Sequence, residues 1–92
     1  MDLSPKDVLK AKILFKLARM RKWHNSHTAF DNLKKGFKPH EQNDVKKISE
    51  DLIKEGYLLK KPTKYGLHVS LNHHKAQEIK NTIREFLGQF VE

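Results

Sequence analysis

The chain has no cysteine among its 92 residues. That excludes disulfides and thiolate metal ligands. Proline and glycine are sparse, three and four residues, and no low-complexity segment or internal repeat is present. No apolar run is long enough to span a bilayer. The opening MDLSPKDVLK sets an acid and a proline ahead of any apolar stretch, so no signal peptide is expected and a cytoplasmic location is. There is no glycine-rich phosphate loop and no cysteine nucleophile. Ser26 near His24 and His27 does not make a triad by spacing alone, so no enzyme is expected. Six histidines are present. The pairs His24/His27 and His73/His74 stand without cysteine or clustered acids, so neither a metal nor another cofactor is expected.

One further shortage is local. Residues 60–75 contain four basic side chains and no acid. Residues 1–40 are also basic, with 10 cations against 3 acids. Between them, residues 41–59 carry 3 cations and 5 acids, and residues 76–92 carry 2 and 3. The net charge of +8 therefore sits in two blocks, which suits a polyanionic partner.

Periodicity predicts a single domain over residues 1–92, built in the order helix, helix, helix, hairpin, helix. The first helix is expected over about 5–23, with Ser4 as cap and Pro5 in the first turn. Two apolar rows, Leu9/Ile13/Leu17/Met20 and Ala11/Leu14/Phe15/Ala18, make it central, packed by more than one neighbour. Lys12, Lys16 and Arg19 form a narrow basic strip between the rows, read as a solvated face. Thr28 and Asp31 form a capping-box pattern for a short second helix over about 29–35, closed by Gly36. A third helix is expected over about 43–55, with Val45, Ile48, Leu52 and Ile53 inward and Gly56 as its stop. YLLK and LHVSLN then read as strands around the turn KPTKYG, a hairpin over about 57–72. Asn72 caps a last helix over about 73–90. Its stripe of Ala76, Ile79, Ile83, Phe86, Leu87 and Phe90 fits either packing onto the first helix or a two-fold interface in a homodimer.

This order resembles the winged helix-turn-helix domains of bacterial and archaeal transcriptional regulators. The stretches HTAFDNLKKGF and KKPTKYGLHVSLN are most similar to small archaeal winged-helix proteins. The resemblance implies a mostly α, α+β fold: three helices, a two-stranded β-hairpin wing and an added C-terminal helix. It also implies duplex DNA as partner, in preference to RNA, and no membrane. Under it, the third helix enters the major groove, with His40, Gln42, Asn43, Lys46 and Lys47 at its front. Asn and Gln suit adenine edges, and Lys suits guanine acceptors. Ser26, His27 and Thr28 would meet a phosphate at the start of the second helix. Lys60, Lys61, Lys64 and Tyr65 would follow the backbone or reach the minor groove. Glu50, Asp51 and Glu55 make the rear of the third helix acidic, a departure from a simple basic recognition helix. An RNA-binding domain and a protein-interaction module of a larger assembly are the competing readings.

Overall fold

A computed structural model describes residues 5–88. Helix α1 spans Pro5–Arg19, α2 spans Gln42–Lys54 and α3 spans Ala76–Leu87. Strand β1 is Thr28–Ala29, β2 is Leu58–Thr63 and β3 is Gly66–Leu71. Short 3-10 helices occupy Phe30–Lys34, Pro39–Glu41 and His73–Lys75. The fold class is thus α+β and mostly helical.

Helix α1 is central, as its two apolar rows predict. Leu9, Ala11, Ile13, Leu14, Leu17 and Ala18 are buried, against α2, α3 and β3. Val45, Ile48 and Leu52 bury the inner face of α2. Each such side chain contributes roughly 1.5–3 kcal/mol of hydrophobic free energy. From α3, Ile79 and Ile83 are fully buried, within a single chain, where α3 packs on α1. Ala76, Phe86 and Leu87 are half-buried, and Phe90 lies outside the described residues. The core of the C-terminal stripe is therefore occupied by intramolecular packing.

Several boundaries differ from expectation, each for a physical reason. Helix α1 stops at Arg19 rather than near Trp23. Arg21 adopts φ 56°, and its N–H donates to the Ala18 carbonyl at 3.0 Å while that of Lys22 donates to Leu17 at 3.0 Å. These two bonds form a Schellman closure with arginine in the place that glycine usually holds. The same closure ends α2 with the expected residue: Gly56 takes φ 84°, and Tyr57 N–H donates to the Leu52 carbonyl at 2.9 Å.

The second helix is a 3-10 helix rather than an α-helix. Its cap is Ala29, without a side-chain bond. Thr28 is not the cap but a buried strand residue, and its Oγ1 accepts from Asn32 Nδ2 at 2.9 Å. Tertiary pairing overrides the local capping signal: Thr28 pairs with Val69 and Ala29 with His68. The expected two-stranded hairpin is consequently a three-stranded antiparallel sheet, with β3 in the middle.

The hairpin strands also run further than predicted. Lys61, Pro62 and Thr63, expected in the turn, belong to β2, with Thr63 paired to Gly66, so the turn narrows to Lys64–Tyr65. Pro62 is tolerated because β2 is an edge strand. Thr63 Oγ1 donates to the Gly66 carbonyl at 2.7 Å and accepts from Tyr65 N–H at 3.1 Å. Asn72 caps as predicted, accepting from His74 N–H at 3.0 Å. The last helix opens as the 3-10 turn His73–Lys75 and closes at Gly88 in the left-handed region, before the expected end near residue 90. The third helix begins at Gln42, directly after the 3-10 turn Pro39–Glu41, with Glu41 at its cap position.

Candidate nucleic-acid interface

At the front of α2, Asn43, Lys46 and Lys47 are exposed. Spacings of three and four place them on one face of the helix. His40 is exposed in the preceding 3-10 turn. Gln42 is half-buried, and its Nε2 donates to the Phe37 carbonyl at 3.3 Å. Of the five candidate side chains, His40, Asn43, Lys46 and Lys47 are therefore exposed, with Gln42 tied back to the preceding loop.

The acidic rear of α2 is largely neutralised by α1. Lys6 lies 3.8 Å from Asp51, and Lys10 lies 3.4 Å from Glu55. Lys10 also stands 4.8 Å from the centroid of the Tyr57 ring. Such surface pairs stabilise by about 0–1 kcal/mol each. Their larger effect is on the local field, since two of the three rear acids are balanced. The signal was present in the sequence as matching i,i+4 pairs, Lys6/Lys10 and Asp51/Glu55.

The hairpin lysines fall on different sides. Lys61 and Ala29 both pair with His68, so these three project to one face of the sheet. Lys60 pairs with Val69 and projects to the other. Lys64 sits in the turn, 5.4 Å from the centroid of the Tyr65 ring. Tyr65 is 85% exposed and packs on no part of the core.

Residues 26–28 lead into β1 and do not cap a long helix. Ser26 is exposed. The Thr28 hydroxyl is engaged with Asn32, as above. His27 Nδ1 lies 2.9 Å from His68 Nδ1, so one ring donates and the other accepts. Sequence reasoning missed His68 as a neighbour of His27, because only the β1–β3 pairing brings them together. Lys61 and the His27–His68 pair share that face of the sheet.

A second histidine group joins the loop after α1 to the start of the last helix. The His24 and His73 rings meet edge to face with centroids 4.1 Å apart, and His74 lies 4.1 Å from His73. Desolvation, then His74, then His24 lower the His73 pKa below its ordinary value of 6.5. Among the described residues, no group of three or more His, Cys, Asp or Glu side chains is placed to hold a metal ion. No described helix is long and apolar enough to cross a membrane.

Lys16 resolves the basic strip of α1. Its Nζ donates to the carbonyls of Asn32 at 2.6 Å, Leu33 at 3.4 Å and Lys35. A cation is thereby fixed against the carbonyl end of the 3-10 helix, where unpaired acceptors and the local dipole favour it. Partial burial, then the Lys35 ammonium, lower its pKa below 10.5. Lys12 and Arg19 remain exposed, with Arg19 5.7 Å from the Phe15 ring centroid.

No family model, curated protein or solved structure matches the chain.

Proposed function

We propose that this chain is a winged-helix DNA-binding protein of the transcription-regulator type, acting in the cytoplasm. The front of α2 enters the major groove, where Asn43, Lys46 and Lys47 meet base edges and phosphates. The hairpin lies edge-on at the neighbouring minor groove. One observation carries this reading: the hairpin presents cations on both faces and at its tip, with no acid over residues 60–75. A minor groove is flanked by two phosphate strands, and a ribbon with lysine on either side neutralises both. A docking strand for a protein partner would instead need a bare edge, and β2 is interrupted there by Pro62. One copy of the chain is sufficient for this mode.

The test is an amide-shift titration with a mixed-sequence DNA duplex at low and moderate salt, followed by competition with structured RNA. Shifts clustering at 26–28, 40–47 and 60–66, weakening with salt and resisting RNA, are expected. Silence of these segments at low salt defeats the proposal. Efficient displacement by RNA reassigns the partner.

A further inference from the structure

Between the 3-10 helix Phe30–Lys34 and the first two turns of α2 lies a cavity of about 140 Å³, with the Ser49 side chain among its lining. Ser49 is completely buried, and its Oγ has no hydrogen-bond partner. A buried hydroxyl without a partner is costly in a native protein and calls for an explanation. Ser49 is among the residues that line the cavity.

The rest of the lining defines the chemistry. Asp31 and Lys34, three residues apart on a 3-10 helix, share one side of it, and Lys46 lines the cavity from α2. Among the described residues, none of these three charges is engaged in an ion pair. Phe30, Leu33 and Val45 supply apolar wall. A simple anion would be opposed by Asp31, and a simple cation by Lys34 and Lys46. A molecule carrying both charges satisfies all three. The size is also restrictive, since a cavity near 150 Å³ accepts a molecule about as large as benzene.

We propose that this cleft binds a small zwitterion, a free amino acid with a short side chain. Its carboxylate lies toward Lys34 and Lys46, its ammonium toward Asp31, and the Ser49 hydroxyl bonds one of its polar atoms. Occupancy ties up Lys46 and crowds Asn43, which also lines the cleft. The ligand therefore competes with duplex DNA. Only this regulatory half rests on the function proposed above.

The binding half is tested without nucleic acid. Amide shifts are followed as L-serine, L-alanine or glycine is raised to millimolar concentration, with acetate and methylammonium as half-ligands. Saturable shifts confined to residues 30–34 and 42–49 are expected with at least one amino acid, and not with either half-ligand. No response to the three amino acids, or an equal response to acetate, overturns the site. Ser49→Ala removes an unpartnered hydroxyl and leaves the fold intact, while weakening the amino acid by about fivefold to tenfold. Unchanged affinity in that variant also overturns it. Asp31→Asn, on the exposed rim, serves as the second variant and should lose the preference for a zwitterion over acetate. For the regulatory half, the responding amino acid is added to the protein–duplex complex. A rise in duplex Kd is expected, and an unchanged Kd removes the competition. Failure of the duplex to bind at all counts against the nucleic-acid reading, while the amino-acid titration still decides the site.

Discussion

The two basic blocks of this chain have the same sign of charge and different uses. In the N-terminal block three of the ten cations are held by polar partners within the chain. Lys16 binds three carbonyls, and Lys6 and Lys10 reach acids on α2. In the hairpin the ammonium groups of Lys60, Lys61 and Lys64 make no hydrogen bond or ion pair with described residues, and Lys64 has only a ring beside it. Charge that already has partners inside the chain contributes to folding. Charge left without them is available to something outside.

The sharpest way to break that contrast is to exchange the effects. Lys16→Met removes hydrogen bonds made by a charged donor, each worth about 1.5–3 kcal/mol. For a domain of this size one kcal/mol moves Tm by about 4–8 °C. Calorimetry should therefore show a large fall in Tm, with an unchanged salt slope for duplex binding by the folded protein. A slope that falls by a full unit would move Lys16 into the DNA surface.

The reciprocal variant is Lys60→Gln, Lys61→Gln and Lys64→Gln together. Under the proposed duplex-binding mode this removes three phosphate contacts and should reduce the log–log salt slope by about 2.7. Stability should stay within roughly 0.5 kcal/mol, as expected for exposed substitutions. Loss of folding with an intact slope would invert the assignment of the two blocks.

Arg21 belongs to the N-terminal block by charge, yet its backbone is what matters. Arg21→Gly relieves a left-handed conformation that costs an L-residue about 1–2 kcal/mol. Part of that gain is offset by the greater freedom of glycine in the unfolded chain. A net stabilisation of about 0.5 kcal/mol is expected in urea melts. A destabilisation would mean that the guanidinium matters more than the φ angle.

The smallest effect concerns pH. The folded pKa of His73 lies below its unfolded value near 6.5. Below 6.5 the unfolded chain binds the proton more readily, so stability falls as pH drops from 6.5 toward the folded pKa. It is fully regained above 6.5. Urea midpoints measured across this range should show the loss, and His73→Asn should flatten it. An unaltered profile in the variant would assign the acid sensitivity elsewhere.

What was legible in the sequence follows the range of each signal. The central position of α1, the stop at Gly56 and the cap at Asn72 are encoded within a few residues, and they stand in the structure. The stop at Arg21 was not legible, because the closure there uses a residue with no preference for it. The third strand was hidden for another reason. Thr28–Ala29 is a strand only because β3 offers it a backbone partner, and the Thr28/Asp31 pattern pointed to a cap instead. In the candidate interface, residue types and exposure at Asn43, Lys46 and Lys47 were readable. The division of Lys60 and Lys61 between two faces depends on β2 continuing through Lys61, a residue that the sequence placed in the turn. Ser49 carries no distinguishing signal in the sequence, and only the packed fold shows that its hydroxyl is buried without a partner.

The middle strand has a kinetic consequence. One side of β3 is filled by β2, which arrives through the short Lys64–Tyr65 turn. The other is filled by the segment around Trp23–Ala29, with Ser70 Oγ donating to the His24 carbonyl across 46 residues of chain. Hairpins close in about 1–10 μs, whereas larger loops close at greater entropic cost. A refolding molecule therefore passes through an interval in which β3 is paired on one side and bare on the other. During that interval its nearest competitor for pairing is another molecule of the same kind. Rapid dilution to low concentration, rather than slow dialysis, is the condition under which this protein should refold with least loss to aggregates.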